Sequence, residues 1–302
     1  MARNRRQNQA TSNSVVNRYG SSRVTRKGIS YSPWRYDIYH VLLTISWAKF
    51  IALVILGYFI TNALFACLYL AGGNGIENAR PGNFLDAFFF SVQTMASIGY
   101  GAMYPTTAYA NFLVTIESII GLLCLTMASG IMFARFSTPK ARVIFSRVAL
   151  ISTYNGSPTL MFRVANKRQN LILEAQVRVT VVRNEYTKEG NFMRRFYDLP
   201  LARSNSPLFA LSWSVMHVIN EDSPLYALTP QKMIEDELEI LVILTGIDET
   251  VSQTIHARHS YIPEEIILDA NFVDILYKAP DGRRCVDYLL FHDFVTTNNI
   301  KP

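Results

Sequence analysis

Two long stretches of this chain are almost free of charge, and nothing else in the sequence limits its folds so strongly. From Phe50 to Ile76 there is no charged residue. That run exceeds the ~20 apolar residues a helix needs to cross a bilayer core. Trp47 and Lys49 stand at one end, where they would anchor a helix at the interface. A second span is predicted from about Thr106 to Phe136, with Glu117 as its internal charge. At ~1.5 Å per residue it outruns the bilayer core and should project beyond it. Between the spans, Phe84–Met95 is apolar but too short to cross, and it leads into Ser97-Ile98-Gly99-Tyr100-Gly101. A helix that enters a membrane and returns as irregular backbone is tolerated where that backbone lines a water-filled path or is buried in protein.

The five residues suit an ion path. Glycines at alternate positions accept φ > 0 and let neighbouring carbonyls face one way. A row of such carbonyls can replace the hydration shell of K+. Ser97 adds a hydroxyl oxygen at the inner end, and Tyr100 can pack outward to hold the diameter. The bound K+ would sit at Ser97, Ile98, Gly99 and Tyr100. If a central pore exists, one face of the second span must line it. Leu125, Ser129 and Phe133 fall at i, i+4, i+8, with Gly121 one turn earlier, where it could ease a bend. Glu117 has two readings: a cation-holding acid nearer the outer end, or a hydrogen-bonding group behind the filter, which is favoured. Acids inside membrane segments are functional candidates.

Charge sets the orientation. Half of the 302 residues are hydrophobic and 17% are charged, and the charge lies mostly outside Leu42–Phe136. Arg3, Arg5, Arg6, Arg18, Arg23, Arg26, Lys27 and Arg35 face a single acid, Asp37. Such an arm could bind nucleic acid, but ahead of a span it reads better as a positive-inside flank, with no nucleic-acid partner. The Gly72–Gly82 linker has one basic residue, Arg80, and is expected outside; Arg135, Lys140 and Arg142 mark a cytoplasmic exit. Both termini are therefore expected in the cytoplasm and the chain in the cell (inner) membrane. Residues 1–30 read as a disordered basic segment. Over Trp34–Leu42, apolar residues recur at helical spacing, as in an amphipathic helix lying in the interface.

From about Ala141 the pattern turns to short β-branched and aromatic runs: Val143–Phe145, Ala149–Thr153, Thr159–Val164, Leu171–Val182, Leu208–Val218, Leu238–Leu244 and Phe272–Tyr277. Asn155-Gly156, Glu189-Gly190, Ser206-Pro207 and Asp281-Gly282 are read as turns, and only Pro230–Glu237 as helix. The fold class is thus membrane α, two transmembrane helices plus a re-entrant pore helix (31–139), with a C-terminal all-β immunoglobulin-like antiparallel sandwich (140–302). Cys67, Cys124 and Cys285 lack metal or redox spacing and read as apolar filler. His256 and His259 have no third ligand and read as structural or surface residues. No nucleophile elbow, zinc motif or phosphate loop argues for an enzyme or a cofactor. A membrane-anchored β-sandwich binding or sensor protein is the alternative, but it leaves the re-entrant segment unexplained.

Several segments together resemble the inwardly rectifying potassium channels, and among them the bacterial branch (KirBac). They are the filter with its pore helix, Glu117-Ser118-Ile119-Ile120-Gly121, Ala134-Arg135-Phe136 with Pro139, Leu160–Asn166, Glu221–Tyr226 and Thr245-Gly246 to Ser260-Tyr261. The resemblance spans roughly residues 30–295. It implies a homotetramer around one pore and passive K+ conduction. The interfacial helix becomes a slide helix. An inner-helix gate falls at Phe133 with Leu125 above it, and a cytoplasmic constriction falls within about Ser252–His259. It also implies Ba2+ as a blocker, and regulation by anionic phospholipid through Arg35, Arg135, Lys140 and Arg142. Departures are Ser97 where Thr is usual, and Gln93 and Met103 where many members pair Glu with Arg. Leu125 stands where strong rectifiers hold an acid, and Thr138 stands at another basic position of the family.

Overall fold

The computed structural model describes residues 37–278 and 280–296. It divides near Pro139 into a helical unit and a β unit. The basic N-terminal segment, the start of the interfacial helix at Trp34 and the lipid candidate Arg35 lie outside the described residues.

In the helical unit, α1 covers Ile38–Thr44. Asp37 is its N-cap and accepts from His40 N at 2.9 Å. Helix α2, Trp47–Ala71, is capped by Ser46, and α3, Phe84–Met95, by Asn83, which accepts from Leu85 N and Asp86 N. Helix α4, Ala108–Phe136, is capped by Thr107. The 25 and 29 residues of α2 and α4 correspond to roughly 38 and 44 Å, both longer than a bilayer core of ~30 Å. A small two-stranded ladder, β1 (Ile76–Glu77) with β2 (Tyr104–Pro105), ties the linker to the segment after Gly101. Arg80 grips the Asp86 carboxylate with two nitrogens, each at 2.8 Å.

The core of this unit is small. Phe65, Ala66, Tyr69, Ala87, Phe90, Met95, Ala110 and Leu113 pack where α2, α3 and α4 meet. Ile55, Leu56, Phe59, Ile60 and Leu64 on α2 and Leu122, Leu125, Met127 and Phe133 on α4 point outward and stay exposed. An apolar surface of that extent needs lipid or protein to cover it.

The β unit is a sandwich. One sheet runs β11 (Gln253–Tyr261), β10 (Glu239–Asp248), β6 (Ile172–Tyr186), β7 (Phe192–Asp198), with β8 (Asn205–Phe209) on β6. The other runs β12 (Ile266–Leu268), β4 (Ala149–Tyr154), β5 (Ser157–Asn166), β3 (Val143–Phe145), with β9 (Ser212–Val218) on β5. Alternating residues of both sheets fill the interior: Leu160, Phe162 and Val164 from β5, Val177, Val179 and Val181 from β6, Ile240, Val242 and Leu244 from β10, and Trp213 and Val215 from β9. Two further ladders, β13 (Ala270–Phe272) with β16 (Phe294–Thr296) and β14 (Leu276–Lys278) with β15 (Arg284–Val286), complete it.

The Asn155-Gly156 turn closes β4 on β5 with φ of 50° and 81°, as a type I′ hairpin requires. Three expectations are corrected. The run Leu208–Val218 is two strands on different sheets, since its last residues leave β6 and pair with β5. Ser206-Pro207 is no turn but part of β8, a strand that pairs only with β6; proline's missing N–H is tolerated at such an edge. The sandwich is also not purely antiparallel, because β12 lies parallel to β4. The helix at Pro230 ends at Glu235 and is labelled α5.

Candidate pore and its supporting network

The C-terminus of α3 releases the chain in two hydrogen bonds, Ser97 N to Thr94 O at 3.0 Å and Ile98 N to Gln93 O at 2.8 Å. From there φ is positive at Ser97 (54°), Gly99 (59°) and Gly101 (79°), and not at Ile98 or Tyr100 between them. Alternating hands of backbone can cancel the usual reversal of successive peptides and let carbonyls share a side. Gly99 and Gly101 adopt this at no steric cost. Ser97 does so more readily than a β-branched residue, for which positive φ is a true outlier. This gives Ser97, unusual for the resemblance, a local reason. Ile98 and Tyr100 are 46% and 73% exposed. Asn78 Nδ2 holds the far end through Ala102 O at 2.8 Å.

Behind the filter segment lies a buried polar network. Glu117 on α4 is fully buried. Its Oε2 accepts from Tyr69 Oη of α2 at 2.5 Å, and its Oε1 meets Ser91 Oγ of α3. Ser91 Oγ also lies 2.9 Å from Asn62 Oδ1. The Asn62 amide donates to Tyr58 O at 2.8 Å and to Met95 Sδ at 3.4 Å. Glu117 is therefore not a pore-lining acid; the hydrogen-bonding reading describes it. At Gly121 a Cβ would stand 2.5 Å from Met95 O, so the glycine serves a close approach of α4 to the end of α3. The positions of the absent Glu–Arg pair hold Gln93, whose carbonyl anchors Ile98, and Met103, half-buried in the helical core.

Leu125, Ser129 and Phe133 are exposed along α4, with Leu125 at 67% and Phe133 at 74%. A cleft of about 610 Å3 beside them is lined by Leu53, Val54 and Tyr58 of α2, Met95 and Ser97, and Leu122 and Leu125 of α4.

The basic candidates separate. Arg135 donates to Leu42 O and, at 2.6 Å, to Ile45 O, both at the end of α1. Its guanidinium lies 4.7 Å from the Trp47 ring and 4.8 Å from that of Phe50. Those bonds satisfy orphan carbonyls at a helix terminus, and the stacking adds cation–π attraction. Arg135 thus ties the end of α1 to α4. Lys140 and Arg142, in the other unit, are exposed.

In the β unit, Ser252 (φ 51°) ends the β10–β11 connection. His256 is exposed on β11, its Nδ1 3.2 Å from Thr245 Oγ1. His259 is buried and stacks on Phe145 at 5.0 Å. Among the described residues no cluster of metal-ligating side chains occurs. In the Glu221–Tyr226 segment, Ser223 Oγ contacts Nε2 of buried His217 at 2.8 Å, and Nδ1 of the ring meets Pro200 O at 2.7 Å. Burial pushes the His217 pKa down, partly opposed by the Pro200 hydrogen bond.

Comparison with known proteins decides the family. Residues 143–301 match the inward rectifier potassium channel C-terminal domain, and residues 48–138 match an ion channel family. The inward rectifier potassium channel Kirbac3.1 of Paramagnetospirillum magnetotacticum is 50% identical over 279 residues, covering 92% of this chain and 95% of that protein. The chain belongs to the inward rectifier potassium channel family. Two animal relatives lie further away. ATP-sensitive inward rectifier potassium channel 12 of Gallus gallus is 30% identical, covering 93% of this chain and 71% of its own length. G protein-activated inward rectifier potassium channel 2 of Mus musculus is 32% identical, covering 87% and 67%. This is a family of membrane ion channels and not of enzymes, and the channel's permeant ion is K+.

The sequence reading did not find Asn62, Ser91 or Tyr69. Their signal was present: an amide and a hydroxyl within apolar helices have nowhere to hydrogen-bond but each other or a partner helix.

Proposed function

We propose that four copies of this channel surround one pore in the cell membrane and that K+ crosses it passively along the carbonyls of Ser97–Tyr100. The observation that carries this reading is the alternation of φ at Ser97, Gly99 and Gly101. A single chain offers carbonyls on one side only, so an ion needs copies to complete its shell. The exposed Ile98 and Tyr100, and the exposed face of α4, are the surfaces those copies would cover or share. Leu125, Ser129 and Phe133 line the cavity below, and four Phe133 rings close it by dewetting. The stretch Ser252–His259 forms a second constriction. Slide helix and pore occupy 31–139, and the β domain, 140–302, lies in the cytoplasm with both termini. Anionic phospholipid meets Lys140 and Arg142 at that leaflet, while Arg135 couples slide helix to inner helix.

The test is radiolabelled Rb+ uptake into liposomes carrying the purified channel. Uptake should be blocked by Ba2+ and lost in Gly99→Ala, whose Cβ opposes a positive φ. Uptake indifferent to both would remove the pore from Ser97–Gly101.

A further inference from the structure

The network behind the filter has too few protons for a charged Glu117. Asn62 Nδ2 faces Tyr58 O, which only accepts, so the amide orientation is fixed and Oδ1 is the atom turned to Ser91. Ser91 has a single hydroxyl proton and two oxygen neighbours, Asn62 Oδ1 and Glu117 Oε1. Were Glu117 ionised, both neighbours would be acceptors only. One of the two contacts would then hold no hydrogen, leaving an unsatisfied buried group. Asn62, Ser91 and Glu117 are each 0% exposed, so water does not relieve the mismatch. Nor does a cation: the partners of Glu117 are Tyr69 and Ser91, and no ion pair to it occurs among the described residues.

We propose that Glu117 carries a proton on Oε1, donates it to Ser91, and through the resulting one-directional chain acts as a positioning residue for the filter. With that proton every group is matched. Tyr69 donates to Oε2, Oε1–H donates to Ser91 Oγ, and Ser91 donates to Asn62 Oδ1. Asn62 in turn donates to Tyr58 O and Met95 Sδ. The chain crosses α4, α3 and α2 and ends on Met95, the last residue of α3 and two positions before Ser97. A neutral strut suits this depth, because a buried charge without a counter-ion is costly in a low-dielectric interior. The positioning role rests on Ser97–Gly101 being the ion filter; the protonation state does not.

The experiment uses the full-length channel in liposomes at neutral pH, with two readouts. The infrared difference spectrum between wild type and Glu117→Gln should show a protonated-carboxyl C=O band that the variant lacks. A difference confined to carboxylate bands overturns the proposal. The second readout is the K+/Na+ permeability ratio. Glutamine restores both contacts, its oxygen accepting from Tyr69 and its amide donating to Ser91. It should therefore hold the ratio about ten-fold above that of Glu117→Ala, equivalent to ~1.4 kcal/mol. Ser91→Ala, which removes the middle link without touching the acid, should lower the ratio as well. Glutamine as damaging as alanine overturns the positioning role. If wild type conducts no ions, the filter reading falls, and the infrared band still reports the proton.

Discussion

The two units of this channel solve opposite problems with apolar residues. In the β unit, Phe162, Val179, Trp213, Ile240 and Tyr261 are turned inward from two sheets and form one continuous apolar core. In the helical unit the interior is a short cluster around Phe65, Phe90 and Leu113, while Phe59, Leu64, Leu125 and Phe133 face out. The first arrangement is a fold that carries its own core. The second is a fold whose solvent is lipid and other protein, and whose fully buried groups include the polar Asn62, Ser91 and Glu117.

The largest effect that could break this comparison lies in the sandwich. Expressed alone, residues 139–302 should unfold cooperatively in urea without detergent. Phe162→Ala should lower the stability by ~3–5 kcal/mol, the cost of emptying a well-packed aromatic site. A fragment that aggregates unless lipid is present would contradict the independence of its core. Next is Gly121→Ala, which adds one methyl where α4 meets Met95 O. Overpacking of ~1–3 kcal/mol is expected, and because backbone is the obstacle, it should appear as reduced Rb+ flux with little change in β-domain unfolding. Equal flux in variant and wild type would show that the approach of α4 to α3 can relax.

The smallest effect comes from His217. Its folded pKa is lowered, so the unfolded chain takes up a proton first. Stability of the β domain should therefore be unaffected at alkaline pH and decline as pH falls below about 6.5, the ordinary histidine value. His217→Asn should flatten that acid limb in a chemical-denaturation series. An unchanged slope would mean that the imidazole between Pro200 O and Ser223 opens to water before it titrates.

How much of this was legible beforehand differs along the chain. The limits of α3 at Phe84 and Met95, the capped spans and the Asn155-Gly156 hairpin all follow from local causes: run length, a capping side chain, a residue that tolerates positive φ. Edge and parallel pairings such as β8 on β6 and β12 on β4 were not legible, because pairing depends on residues far away in sequence. The same holds for Arg135. As a basic residue at a membrane exit it suggested a lipid ligand, and only the proximity of Leu42 O, Ile45 O and the Trp47 ring shows where its hydrogen bonds go.

The sequence by itself determined that two helices span a bilayer, that a short third one leads into Ser97–Gly101, and that a β domain follows. Those features are set by periodicity, charge and chain length, which act over a few residues. Tertiary structure decided what Glu117 and Gly121 do. A carboxyl group is defined by its partners, and a glycine by what a side chain would strike; Tyr69, Ser91 and Met95 reach them only once three helices have packed.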